Sequence, residues 1–345
     1  DLTGNWDSDG DGYYGEPFED NIYNEPDGDL FPEVYVGRIP FYGSYTDLDS
    51  ILNKTIHYSG IKQNILLPMA ICNYENEEGS GCDRGDGRDL PKYVVEDIAI
   101  PNGYGYHVMY ERCGLDPVPT TAPYYDEPIN KSNVINAWNT DDYGFVFWHG
   151  HGSYAGTSRK YWDHDDGDGV PESDEMKWER FISSSDTDTL LDTNVFTYQA
   201  SCLNGEPDHS DNLQYSLLKN GAICTVAAAS FALGPGGFYS PSNISNDVEI
   251  GYRYLKNLVN NHQSAGVALY NAKSCFEFDS SYKWQNQLVF NLYGDPSLTV
   301  TNVSNREPTL NNPLPDTSFD EDHSFAAFNL NDYFFDPDGE SINYT

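Results

Sequence analysis

Two stretches decide how this chain folds: Phe145-Val146-Phe147-Trp148-His149-Gly150-His151-Gly152-Ser153 and Val195-Phe196-Thr197-Tyr198-Gln199-Ala200-Ser201-Cys202-Leu203-Asn204-Gly205. Each is an apolar run of strand length that ends at a reactive side chain with a glycine close behind. Runs of bulky residues without polar alternation suit strands covered on both faces, the usual state of strands in a parallel sheet. Two such strands lying side by side in parallel would bring His151 and Cys202 to one edge.

The flanking sequence supplies the crossovers that a parallel sheet requires. Upstream, Ile65 to Cys72 and Tyr106 to Tyr110 read as strands. Helices are expected over Leu90 to Ile98, over Ile129 to Trp138, and over Tyr45 to Tyr58, where Thr46 or Asp47 would cap a face of Leu48, Ile51, Leu52 and Ile56. Downstream come a helix at Asn212 to Lys219, a small-residue strand at Ala222 to Ala229, and helices at Asp247 to Asn261 and Ser264 to Cys275. This rhythm predicts an α/β fold: a three-layer α/β/α sandwich around a mostly parallel sheet. Sites in such sheets form beyond the carboxyl ends of the strands, which is where His151 and Cys202 stand.

Near Val303 the character changes. Pro308, Pro313 and Pro315 mark a linker, and Phe325 to Leu330 and Phe334 to Gly339 read as short strands around an acidic turn. The expected division is therefore 1–44, the end of an N-terminal subdomain with a calcium loop; 45–303, the catalytic domain; and 304–345, a linker with the truncated start of an immunoglobulin- or cadherin-like β-sandwich. Asp1 opens directly into polar sequence without a signal-peptide pattern, and both ends are treated as artificial boundaries.

Composition narrows the partners. With 55 acidic against 18 basic residues the formal charge is −37, a field that repels nucleic acid and anionic membranes. No run approaches the roughly 18 apolar residues of a membrane span. Aromatics make up 14% of the chain, enough for a large core and unlike a disordered acidic tail. Six cysteines are few for a disulfide scaffold. Cys72 and Cys224 lie in apolar runs and read as buried thiols. Cys82 and Cys113, in polar Gly-containing loops, are candidates to pair in an oxidising compartment.

A thiol needs a neighbouring base to act as a nucleophile near neutrality. His151 would supply it, and Gly152, with no side chain to block a carbonyl, leaves its N–H free to serve with that of Cys202 as an oxyanion donor. A metal-binding His149-x-His151 pair with Cys202 as third ligand, and an inert strand-end thiol, are the competing readings.

The paired apolar strands ending His-Gly-Ser and Ala-Ser-Cys resemble the caspase, legumain and gingipain group of cysteine peptidases, and most of all the gingipain type. Further matches are Phe31 to Pro40, Lys219-Asn220-Gly221-Ala222 and Tyr293-Gly294-Asp295-Pro296-Ser297-Leu298. The resemblance spans about residues 5 to 302. It implies a caspase-like fold and a secreted or cell-surface cysteine endopeptidase acting on proteins or peptides, with Cys202 as nucleophile and His151 as base. It also implies an acid from the end of an earlier strand to orient the imidazole; Glu75 is the first choice and Glu77 the second. A pocket for the residue before the scissile bond would involve Ser230 to Tyr239. Fifty-one positions separate His151 from Cys202, and the surplus over the family pattern contains the acidic insertion Asp163 to Glu175.

Two stretches have the composition of calcium loops. Asp7-Ser8-Asp9-Gly10-Asp11-Gly12 places Asp7, Asp9 and Asp11 as ligands, with Tyr13 giving a carbonyl and Glu16, Glu19 or Asp20 closing the loop. In the second, counting Gly169 as the sixth residue makes Asp166 and Asp168 third and fifth and Glu175 twelfth. His164 then holds the first position, where Asp163 or Asp165 would substitute. The expected cofactor is structural Ca2+. The rival functions are an inactive calcium-binding surface or adhesion protein on the same fold and a transpeptidase, with cell-surface association through the C-terminal region.

Overall fold

The computed structural model describes residues 7, 10–12, 34–118, 124–140, 142–191, 193–232, 246–274, 281–300, 309–310, 314 and 329–335. In chain order, α1 (Tyr45–Ile56) precedes β1 (Asn64–Met69), β2 (Ile71–Asn73), β3 (Gly85–Asp86), α2 (Leu90–Val94), β4 (Gly105–Tyr110), β5 (Glu127–Pro128) and α3 (Lys131–Trp138). Then come β6 (Phe145–His149), β7 (His151–Ser153), β8 (Gly156–Trp162), β9 (Met176–Ser183), β10 (Phe196–Ala200), α4 (Leu213–Lys219) and β11 (Cys224–Ala228). The series closes with α5 (Asp247–Val259), α6 (Ala265–Lys273), α7 (Ser281–Val289) and β12 (Phe290–Tyr293).

Seven strands form the central sheet in the order β12-β11-β10-β6-β1-β4-β5. All neighbours run parallel except β12, which is antiparallel to β11. Side chains alternate between two cores, as the period of two in a strand requires. Ile65, Leu67, Phe145, Phe147, Phe196 and Tyr198 face the layer built by α2, α5 and α6. Leu66, Val146 and Trp148 face α3, α4 and β9. Helices therefore cover both faces, the caspase-like α/β/α arrangement. Seating α5 on the sheet requires Gly251, because a Cβ there would lie 2.3 Å from Phe147 Cζ and 2.5 Å from Tyr198 Cδ1.

Three local features differ from the sequence reading. The cap of α1 is Ser44, whose Oγ accepts from Asp47 N at 3.2 Å, so Thr46 and Asp47 fall inside the first turn. On α1 only Ile51 is buried, while Leu52 and Ile56 face outward. The apolar run from Ile65 to Cys72 is two strands rather than one. It leaves the large sheet at Ala70, whose N–H still donates to His149 O at 3.0 Å, and Ile71–Asn73 then pairs antiparallel with β3.

The largest difference lies between the two site residues. The acidic insertion is the far end of a three-stranded antiparallel sheet, β7-β8-β9, that begins at His151. Its pattern is hard to read because β8 buries two cations, Arg159 and Lys160. Arg159 pairs with the fully buried Glu111 at 2.6 Å and with Glu179, and Lys160 pairs with Glu77 at 2.6 Å. Charges so neutralised take inward positions where hydrophobic alternation would be sought.

The chain divides into two compact units, Asp1–Val300 and Thr301–Thr345. In the first, the segment before α1 joins the sheet, since Arg38 N donates to Leu292 O and Arg38 O accepts from Gly294 N, both at 2.9 Å. In the second, β13 (Thr309–Leu310) pairs antiparallel with β14 (Phe334–Phe335); the rest of the expected β-sandwich lies outside the described residues.

Candidate active site

β6 and β10 are neighbours, and Ala200 stands in register with His149. His151 and Cys202 each follow by two residues, so the rim of the sheet receives both. Gly150 N donates to Ala200 O at 3.2 Å and starts the turn that sends His151 into the small sheet. Gly152 then rests directly on the Cys202 peptide: a Cβ on it would fall 1.9 Å from Cys202 O and 2.7 Å from Cys202 N. Any other residue at 152 would force the two loops apart.

His151 is partly buried, and its Nε2 lies 2.8 Å from the Cys72 carbonyl. A carbonyl only accepts, so Nε2 carries the proton and Nδ1 keeps the lone pair. The ring meets Trp178 edge-on, centroids 4.7 Å apart, and the Lys160 ammonium lies on Trp178 at 5.4 Å. Burial lowers the His151 pKa; the Cys72 hydrogen bond opposes this, Lys160 adds to it and Glu77 opposes it.

Cys202 is partly buried, with Sγ 3.4 Å from the Ala232 carbonyl. Burial pushes its thiol pKa up, and the carboxyl of Asp247 at the start of α5 adds to the rise. Asp247 is itself pushed up to about 6 by burial. An unprotonated His151 imidazole and a protonated Cys202 thiol are thus the states that these surroundings favour. Leu203, immediately after the thiol, has φ 61°, a left-handed conformation that side-chain-bearing residues rarely adopt. Its N–H is fixed to Ser230 O at 3.0 Å, and Gly205 N to Ala228 O at 2.9 Å.

The other expected residues fall as follows. Glu75 is exposed at the turn after β2, and the group that meets His151 is the Cys72 backbone carbonyl. Glu77 accepts from Tyr74 N at 2.9 Å and pairs with Lys160, so it acts on His151 only through space. His149, the other histidine of the His149-x-His151 pair, closes β6 while His151 opens β7; it is 2% exposed and sits 3.4 Å from Cys72 Sγ through Nε2 and 3.2 Å from Ala70 O through Nδ1. Of the expected pocket, Ser230 to Ala232 are described, and residues 233–239 lie outside the described residues. Cys82 and Cys113 are free thiols, as are Cys72, Cys202 and Cys224. The residue that the sequence reading missed is Asn204, fully buried between the thiol loop and the β7–β8 turn.

In the first acidic loop, Asp7 accepts from Gly10 N at 2.7 Å and Gly12 N at 3.1 Å. Asp11 is exposed, and Asp9 and Glu16 lie outside the described residues. In the second, one ligand atom from each of Asp165, Asp166 and Asp168 lies within 4.8 Å of the others. Asp163 instead pairs with Lys177 at 2.8 Å. Glu175 is 2% exposed and turns inward to Trp162 Nε1 at 2.8 Å and Asp166 N at 2.6 Å. Asp165 thus clusters with Asp166 and Asp168 where Asp163 does not, and Glu175 is held inside the loop.

A partly buried thiol and an imidazole that stand just beyond the carboxyl ends of two adjacent parallel strands, β10 and β6, suit the class of cysteine peptidases built on a caspase-like sandwich. The chain belongs to peptidase family C25, whose family model matches residues 7–301. Among solved structures it is similar to the Arg-specific cysteine proteinase gingipain R, with TM-score 0.55 and 18% identity over 83% of this chain and 60% of that one. It is also similar to a complex of the pro- and mature domains of RgpB from Porphyromonas gingivalis, with TM-score 0.52 and 16% identity over 83% of this chain and 61% of that one. The chain thus spans about three fifths of each of these structures. No curated protein matches it significantly.

Proposed function

We propose that the chain is a calcium-stabilised, secreted or cell-surface cysteine endopeptidase. The observation that carries this reading is the seating of Gly152 on the Cys202 peptide, which brings the imidazole strand and the thiol loop into contact at the sheet rim. His151 Nδ1 takes the thiol proton as Cys202 Sγ bonds to the scissile carbonyl carbon. The N–H groups of Gly152 and Cys202 receive the developing oxyanion. The His151 imidazolium then returns its proton to the leaving amine as the C–N bond breaks. Water, deprotonated by the same Nδ1, hydrolyses the thioester and restores the thiol. Cys72 O keeps the second imidazole nitrogen protonated and the ring aimed throughout.

Because both groups rest neutral, proton transfer accompanies attack instead of preceding it. The charge of −37 favours cationic peptides on approach, in keeping with the Arg specificity of the gingipain R relative. Residues 304–345 are the region we assign to surface attachment.

Asp165, Asp166 and Asp168 suit a hard divalent cation. The crowding is felt at Glu172, whose carboxyl pKa is raised first by Asp168, then by desolvation, and further by Asp166, Glu175 and Asp174. A bound Ca2+ would supply charge neutralisation and order to this loop. Chelation is expected to lower the Tm of the wild type but not that of Asp166→Asn/Asp168→Asn; equal Tm in calcium and in chelator would remove calcium from the account.

The test of the peptidase reading is Cys202→Ala with a fluorogenic peptide library and a thiol-directed electrophile. Hydrolysis and labelling at residue 202 are both expected to disappear. Hydrolysis that persists in Cys202→Ala would end the assignment. Product masses distinguish hydrolysis from transfer of the acyl group to an amine.

A further inference from the structure

The proposed machinery is split between two sheets. Cys202 follows β10 of the large sheet, while His151 and Gly152 belong to β7 of the small one. General-base transfer works only at hydrogen-bond reach, and a displacement of about 1 Å can cost on the order of 10²-fold in rate. Something must therefore set the gap between the sheets.

We propose that Asn204 is the positioning residue that sets it, an inference that rests on the peptidase reading above. Its side chain is fully buried and uses both donors and both acceptor positions of its amide, three of these bonds crossing the gap and the fourth staying on its own loop. Nδ2 donates to Ser153 O at 2.7 Å and to Gly156 O at 3.2 Å, the two ends of the β7–β8 turn. Oδ1 accepts from Thr157 Oγ1 at 2.8 Å, and also from Ser201 Oγ beside the nucleophile. Ser201 is tied in turn to Trp148 Nε1 at 3.3 Å, so the latch reaches the strand that delivers His151. The left-handed turn at Leu203 lies between the thiol and the amide, and Asn204 O is held by Gln214 N at 2.9 Å.

The chemistry of the socket selects asparagine. Two carbonyls on one side and two hydroxyls on the other ask for two donors and one doubly accepting oxygen on a short side chain. Aspartate would turn an anionic oxygen onto Ser153 O and Gly156 O, and glutamine is one methylene too long for the gap. Other ties keep the hairpin docked when the latch is cut: the Tyr154 ring stacks on His209 with centroids 3.7 Å apart, and Leu213 N donates to Tyr154 O at 2.8 Å. Loss of Asn204 should loosen the site without releasing it.

The experiment compares Asn204→Ala and Asn204→Asp with the wild type, each normalised to active sites by titration of Cys202 with a thiol-directed electrophile, and with Cys202→Ala at equal protein concentration. For Asn204→Ala, kcat per titrated site is expected to fall about 10²-fold while KM changes less than about threefold. Asn204→Asp should fall at least as far. If Asn204→Ala does not fold, Thr157→Val decides: kcat should drop severalfold and return in Thr157→Ser, which keeps the hydroxyl. A folded Asn204→Ala with wild-type kcat per site overturns the latch, as does a Thr157→Val with wild-type kcat. If Cys202→Ala still hydrolyses peptides, the peptidase reading itself falls, and this outcome is read independently of Asn204.

Discussion

Two thiols and two imidazoles lie at the same end of the sheet, the contacting pair Cys72–His149 and the proposed pair Cys202–His151, and their surroundings are chemically unlike. In the inner pair, Cys72 Sγ is 3.4 Å from His149 Nε2, and the two side chains are almost sealed, 8% and 2% exposed as residues. Burial drives the Cys72 thiol pKa far up and the His149 pKa down to about 4. Creating a thiolate–imidazolium pair there would put two charges where desolvation opposes each of them. The outer pair, Cys202 and His151, is displaced in the same directions but by less, and both members remain partly exposed. Contact between sulfur and imidazole is thus no sign of a nucleophile by itself; in the proposed mechanism access and a place for the developing oxyanion decide. The inner pair serves the outer one, because the backbone carbonyl of Cys72 holds His151.

The sharpest way to break this contrast is to remove each sulfur in turn. Cys202→Ala should lower kcat/KM by at least about 10⁴-fold, as loss of a nucleophile does. Cys72→Ala keeps the carbonyl that aims His151 and should cost no more than about tenfold, together with roughly 1–2 kcal/mol of stability from the lost buried sulfur. Equal losses in the two variants, measured with one peptide substrate, would erase the distinction between the pairs.

The imidazoles should differ in a second way, in how stability responds to acid. His149 is neutral in the fold with a pKa of about 4, whereas an unfolded chain protonates it near 6.5. The unfolded state therefore binds the proton first, and the stability present above about pH 6.5 is lost as the pH falls toward 4. From pH 7 to pH 5 this one group should remove about 2 kcal/mol. Urea titrations at the two pH values should show that slope in the wild type and lack it in His149→Gln; the same slope in both would place the acid sensitivity elsewhere.

How far the sequence discloses these pairs depends on what kind of atom acts. The strand ends at Trp148 and Ala200 are legible because buried parallel strands must be apolar and a polar residue at their carboxyl end stands out. The expectation for His151, Gly152 and Cys202 follows from that, and the structure brings the three residues to one rim of the sheet. The hydrogen-bond partner of His151 in the structure is not legible in the same way, because it is a main-chain oxygen and carries no side-chain signal. Asn204 looks like an ordinary turn residue until Ser153, Gly156, Thr157 and Ser201 converge on it. In the acidic loop, a count anchored on Gly169 leads to Asp166 and Asp168 but does not choose between Asp163 and Asp165 or show that Glu175 turns inward, because those placements depend on Lys177 and Trp162. The small sheet is concealed by Arg159 and Lys160, whose burial depends on acids distant in sequence.

The finest distinction between the two imidazoles is electrostatic, and it can be tuned. His151 must be neutral to accept a proton, so kcat/KM should fall as acid protonates it. Burial lowers its pKa, which places the acid limb of the profile below the ordinary imidazole value of about 6.5. Lys160 pushes in the same direction from across the Trp178 ring, and Glu77 pushes back. Lys160→Met takes away the cation and leaves Glu77, which should move the acid limb to higher pH by less than about one unit at low salt. Glu77→Gln leaves the cation unopposed and should move the limb to lower pH. His149, sealed within the core, should give neither variant a limb of its own. Profiles that stay fixed in both variants would mean that the titrating group is not the imidazole beside Lys160, and the assignment of the base to His151 would fail with it.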